Sequence, residues 1–156
     1  MKSTFLKSTV LIGIFILCSQ SFIQAQSYEN IELSKNNVYL DFNPGLVSQL
    51  SINYERQIHS GDKVSWYGRY GGGVSSIFLD ESGPSGLGAF TMLTGKKNSH
   101  FELNAGAIIG WDISWRQLFA APLFNIGYRY QKPKGGIIFR ANTGILAVGI
   151  SLGYAF

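Results

Sequence analysis

Cysteine is almost absent from this sequence. The single Cys18 excludes an intramolecular disulfide. Histidine is nearly as scarce. His59 and His100 are the only two, and with one cysteine they cannot assemble a zinc or haem ligand set. Charge is sparse as well. Charged residues make up 14% of the 156, against roughly 25% in an average soluble domain. That deficit argues against an ordinary cytosolic protein. It argues equally against disorder, which calls for high charge and few aromatics, whereas aromatics here also reach 14%. The length suits one domain. The net charge of +4 is not gathered into a groove-sized patch, so nucleic acid is not expected as a partner.

The N-terminus carries a distinct pattern. Lys2 and Lys7 form a basic start, Val10–Leu17 is an apolar run, Ser19–Gln24 turn polar, and Ala25 is small. This is the layout of a secretory signal peptide cut after Ala25, leaving residues 26–156 as the mature domain. Two alternatives stand beside it. An uncleaved anchor would need about 20 apolar residues, more than the run supplies. A lipoprotein would use Cys18, but Leu17 stands where a small residue is expected. Removal of residues 1–25 takes away two lysines and no acids, leaving 11 basic and nine acidic residues.

Beyond Ala25 no apolar run approaches the length of a spanning helix. The chain alternates instead. In residues 124–131, Phe-Asn-Ile-Gly-Tyr-Arg-Tyr-Gln, every even position is apolar or aromatic and every odd one is polar or glycine. Residues 149–156 repeat the pattern. Residues 100–111 put Phe101, Leu103, Ala105, Ala107, Ile109 and Trp111 on one face, with Ile108 the exception. A period of two means β-strand between two different environments. Eight strands are predicted, near 37–43, 48–58, 64–78, 87–95, 100–111, 121–132, 136–144 and 148–156. The phase of the fourth is ambiguous, because Leu87 and Leu93 oppose Phe90 and Met92. Tight turns are expected at Ser60–Asp62, Lys96–Ser99 and Pro133–Gly135, and longer loops at Leu79–Gly86 and Asp112–Ala120.

Alternation alone does not say whether the apolar face points in or out. A soluble lipocalin-like barrel turns it inward around a ligand. A transmembrane barrel turns it outward against lipid. A soluble barrel's outer face should carry many Lys and Glu. Here the non-apolar face is Gly, Ser, Asn and Gln with isolated charges: Asp41, Glu55, Arg69, Glu102, Arg129 and Arg140. Three acids and three arginines, about one per strand, suit a narrow lumen filled by paired side chains, since the arginine fork binds carboxylates bidentately. The alternative is that all six are solvated surface positions. Tyr54, Trp66, Trp111, Tyr128 and Tyr130 fall on the apolar face toward strand ends, as Tyr154 and Phe156 do. That placement suits aromatic girdles at membrane interfaces, or else the lining of a ligand pocket. The expected fold is therefore all-β: an eight-stranded antiparallel up-and-down transmembrane barrel.

The chain's ending is more specific. Ile150, Leu152, Tyr154 and Phe156 run in phase to the last residue, with Gly149 and Gly153 between them. This resembles the terminal strand of small Gram-negative outer-membrane β-barrel proteins of the OmpA and OmpX kind, although Ser151 stands where glycine is more usual. Ser51–Ile58 resembles the second strand of many small barrels of this type. The resemblance implies residence in the outer membrane, contact with its lipids, and reading of the final aromatic by the barrel-assembly machinery. It implies no activity, and no loop partner.

Chemistry-bearing motifs are few. His59 and His100 fall at the tight-turn rim and read as solvated turn residues. No Ser/His/Asp arrangement forms on the opposite rim, where the resemblance would place catalytic groups, so no enzyme is expected. Asp80-Glu81 are too few for a dedicated calcium site, and the glycine clusters lack a phosphate-loop Lys-Ser/Thr. No cofactor is implied. Lys63, Lys96, Lys97, Lys132 and Lys134 at the tight-turn rim are open to two readings, contacts to anionic lipid heads or solubilising turn charges. The functional expectation is a plugged barrel with a structural or loop-mediated role. A narrow pore and a secreted lipocalin-like binder are the alternatives.

The terminal aromatic yields a test. Loss of one large apolar group on a lipid face should cost about 1.5–3 kcal/mol. Deleting Phe156 should lower the yield of assembled protein in cells far more than that, while in vitro refolding into detergent drops only modestly. Normal assembly of the truncated chain at native expression would contradict it.

Overall fold

The computed structural model describes residues 33–78 and 81–156. The proposed signal peptide, Cys18 and Asp80 lie outside them. Eight strands follow one another: β1 (Asn36–Asn43), β2 (Val47–Ser60), β3 (Val64–Ile77), β4 (Glu81–Thr94), β5 (Ser99–Asp112), β6 (Gln117–Gln131), β7 (Gly136–Gly144) and β8 (Val148–Ala155). Each pairs antiparallel with the next, and β8 pairs with β1, closing a barrel. No helix occurs among the described residues.

The alternation in sequence becomes a separation of inside from outside. Asp41, Glu55, Arg69, Glu102, Arg129 and Arg140 are buried. Their neighbours Leu40, Ile52, Phe90, Phe124, Ile126 and Leu152 are exposed on the outer wall. The fourth strand resolves the same way. Leu87 and Leu93 turn inward and Phe90 outward, because a strand's side-chain period leaves only one choice once its neighbours are in register.

Register fixes the barrel's size. One row of paired residues runs from Asp41 through Ser51, Gly73, Ser85 and Gly110 to Phe119. In the other direction it runs from Asp41 through Ser151 and Arg140 to Arg129. It returns to β6 ten residues from its start, at 129 rather than 119. Eight strands with this stagger tilt by roughly 40° and enclose an interior just wide enough for side chains.

Two expected loops are corrected. The segment 79–86 was expected as a loop, as was 112–120. Instead β4 begins at Glu81 and β6 at Gln117, and the connections shrink to 78–80 and 113–116. Gly83-Pro84-Ser85-Gly86 has loop-like composition, but it lies opposite β3 with Pro84 paired to Val74. The regular β4–β5 ladder starts only at Ser85, just past the proline. Pro122 is placed alike: it faces Ala107 of β5, and β7 joins β6 only from Asn125. Proline is tolerated where one flank has no ladder to supply. β2–β6 are thus 14 or 15 residues long, whereas β7, β8 and β1 have nine, eight and eight. The wall is tall on one side and low on the other.

The lumen is layered. At the tight-turn rim Leu33, Tyr67 and Leu93 pack together. A charged layer fills the middle. Toward the opposite rim Val47, Leu87, Ala89, Ile108, Phe119, Ala121 and Leu123 form an apolar cluster. Glycines facing inward make room for bulky neighbours. A Cβ on Gly153 would lie 2.3 Å from the Cβ of Tyr39, and one on Gly110 would lie 2.2 Å from the ring of Phe119. Gly153→Val would set its Cβ against the Val38 carbonyl and the Tyr39 Cα and Cβ, contacts that only a backbone shift relieves, and should cost at least about 3 kcal/mol, the upper end of ordinary overpacking. A urea unfolding series in detergent should show a lower midpoint, with Gly153→Ala intermediate.

Candidate functional site

The middle layer of the lumen is built from inward positions of all eight strands. Arg129 on β6 is its hub. Its guanidinium grips Glu55 of β2 bidentately, with Nη1 2.7 Å from Oε2 and Nη2 2.9 Å from Oε1. Its Nε donates to Glu102 Oε2 at 2.5 Å. Arg140 on β7 approaches the same Glu102 carboxylate, with Nε 3.0 Å from Oε2 and Nη2 donating to Oε1. Asp41 of β1 accepts from Arg69 Nη2 and from the Ser151 hydroxyl. Ser151 in turn lies 3.5 Å from Arg140 Nη1. The six charges thus make one continuous network of net charge zero. Each side chain is essentially inaccessible to water. Burying a charge is costly unless it is paired and hydrogen-bonded; every charge here has an ion-pair partner, and Arg69 Nη1 alone of the guanidinium nitrogens is buried without a bond.

Neutral residues complete the layer. Tyr39 donates to Glu55 Oε1 at 2.5 Å, and Asn37 Nδ2 reaches Oε2 at 3.3 Å. Asn104 Nδ2 donates to Glu102 Oε1 at 2.5 Å, and Thr91 joins Asn104 at 2.6 Å. Arg69 Nε donates to Asn53. The Tyr39 ring also lies beneath the Arg140 guanidinium, 4.2 Å from its centroid, a cation–π contact made stronger by exclusion of water. Tyr39, Asn37, Asn53, Thr91, Asn104, Gln131 and Ser151 were not singled out from sequence. For all but Thr91 the signal was available, since each shares the phase of the charged residue on its own strand or faces one across a pair; Thr91 faces Tyr67 and Asn104.

The remaining predicted residues fall as follows. Trp66, Trp111, Tyr128, Tyr154 and Phe156 are exposed on the outer wall. Tyr54 and Tyr130 are half-buried there. Near the tight-turn rim Tyr54 donates to Asn36 Oδ1 at 2.7 Å, and the Tyr128 hydroxyl lies 2.9 Å from Ser99 Oγ, so each ring has a polar partner at its tip. Ile150 and Leu152 are exposed, and Phe156 is tied to Asn36 of β1 by two backbone hydrogen bonds. Three strand charges lie outside the predicted six: Arg56 faces outward on β2 close to that rim, Asp112 at the end of β5 is buried, and Glu81 opens β4. His59 is exposed, in keeping with a turn residue. His100 is not: it is buried, with Nδ1 2.9 Å from the Thr94 carbonyl and Nε2 3.2 Å from that of Gln131. This corrects the expectation of a solvated side chain. β5 begins at Ser99, which puts His100 on the inward phase alongside Glu102 and Asn104.

Chemically the layer is a seal. All but one of the network's charged donors, Arg69 Nη1, are spent within it, and no nucleophile, base and oxyanion site converge there. No protein-family model matches this sequence, and no curated protein does either.

Glu102 serves two arginines, so its removal should be felt most. Glu102→Ala leaves Arg129 and Arg140 short of partners and should cost about 3–5 kcal/mol. Glu102→Gln keeps the shape and one acceptor and should cost less. Urea unfolding followed by tryptophan fluorescence should rank them wild type, Gln, Ala. Equal stability of all three would contradict the network's importance.

Proposed function

We propose that this protein is an integral outer-membrane β-barrel whose sealed lumen leaves a structural or interactive role to its outer surface and hairpin tips. One observation carries the reading. The barrel keeps its charges inside and turns its large apolar residues outward, with Ile52, Phe90 and Leu152 63–64% exposed. An apolar belt of this extent on a lone soluble protein would drive association. Against hydrocarbon it is the favourable arrangement, because an arginine at mid-membrane on the lipid face would cost about 2–4 kcal/mol. The signal-like pattern of residues 2–25 and the outward phase of Ile150, Leu152 and Tyr154 on β8 support the same compartment.

A lipocalin-like binder would require the opposite arrangement, with the exposed apolar residues lining the interior. A conducting pore would require a water path through the middle layer, where paired charges and Tyr39 fill the section. The interactive surface shifts with the corrected loops. The tips at the high rim are the β3–β4 and β5–β6 hairpin ends, which display Phe78, Ile113 and Trp115.

Cell fractionation tests the reading. The mature chain should be recovered with outer-membrane lipids, require detergent for extraction, and migrate faster on a gel when unheated than when boiled. Recovery in a salt-soluble periplasmic fraction would overturn it.

A further inference from the structure

The low side of the wall has a consequence for the lumen. β7 and β8 end at the turn Ile145–Ala147, while β6 continues upward for eight residues beyond its first pair with β7. That stretch, 117–124, therefore has a strand on one side only, β5. A cavity of about 90 Å³ lies between this free edge and the Ile145–Ala147 turn. Its lining includes Pro122, Phe124 and Ile145 from the outer surface and Val47, Ile108 and Leu123 from the lumen. It therefore passes through the wall and joins the lipid-facing side to the apolar upper layer. On the same measure one water needs only about 10–15 Å³.

The cavity's floor is polar and incompletely bonded. Asn43 and Gln49 both line it, and they are 6% and 4% exposed. Asn43 Oδ1 and Gln49 Nε2 have no hydrogen-bond partner. Asn43 Oδ1 occupies the space where a Gly149 Cβ would stand, beside Asn142, so the open group at the floor is the Gln49 Nε2 donor. A buried donor left open at the end of an apolar passage is unusual, since such groups are normally paired. A hydroxyl oxygen is its complement, because it accepts from an amide N–H.

We propose that this side port admits one alkyl chain from the membrane, bearing a hydroxyl whose oxygen accepts from Gln49 Nε2. The chain is favoured over a peptide strand because the walls are apolar side chains and the entrance continues the exposed apolar belt. The inference rests on the outer-membrane reading, since only a lipid-facing wall brings alkyl chains to the port.

The test uses mature protein with methyl-labelled Ile, Leu and Val in nanodiscs of chain-deuterated phosphatidylcholine. Protonated 1-decanol or decane is added as the probe. With 1-decanol, magnetisation transfer from the chain should reach the inward methyls of Val47 and Ile108, and the Gln49 side-chain amide should shift saturably. Decane should reach mainly outward methyls such as Ile52 and Ile126. Ala147→Trp, at the lip, and Gln49→Leu, at the floor, should each weaken the saturable response at least tenfold while outward contacts persist. Contacts to Ile52 and Ile126 without any to Val47 and Ile108 would overturn the port and leave the membrane reading intact. Failure of the chain to enter nanodiscs would instead count against the membrane reading. A Gln49 amide that exchanges with water only, unaffected by the alcohol, would reassign the floor as a hydration site and overturn the proposal.

Discussion

The ten-residue stagger that closes the sheet is the constraint on which the rest of the molecule depends. It decides which inward side chains share a level. Arg129, Arg140, Ser151 and Asp41 lie on one paired row. Glu55 and Glu102 enter from strands on either side of the lumen to meet Arg129. A different stagger would keep every residue's inward phase and still separate these partners. Buried charge is tolerated only when compensated at short range, so closure and electrostatic neutrality select each other.

The same stagger, combined with unequal strand lengths, makes the rim uneven. β6 rises past β7 with no partner on that flank, and Pro122 occupies a position there that a ladder on both flanks would not accept. The apolar upper layer and the polar middle layer meet near the low wall, at Asn43 and Gln49. At that boundary Asn43 Oδ1 and Gln49 Nε2 lack partners.

Glycine and tyrosine show how tight the section is. Tyr39 reaches the centre because Gly153, its pair on β8, has no side chain. From there it bonds Glu55 and underlies Arg140. Phe119 uses Gly110 in the same way one layer higher. A narrow barrel cannot hold large residues at adjacent inward positions on every strand, so at these two pairs a glycine stands opposite the large ring.

Much was legible in the sequence because a strand's side-chain period is a local property. The period of two in 100–111, 124–131 and 149–156 identified strands and sorted their faces without any knowledge of neighbours. It also put Glu102, Arg129 and Arg140 on the polar face. Sequence could not place Glu81–Gly86, whose glycines and proline read as loop, or Gln117–Ala120 in strands until β3 and β5 supplied partners across the ladder. It could not settle the phase of β4, where Leu87, Leu93, Phe90 and Met92 are all apolar. Nor could it reveal the burial of His100, the centrality of Tyr39 or the gap beside β6. Those depend on which strands lie next to one another and at what height, and closure of the barrel alone decides both.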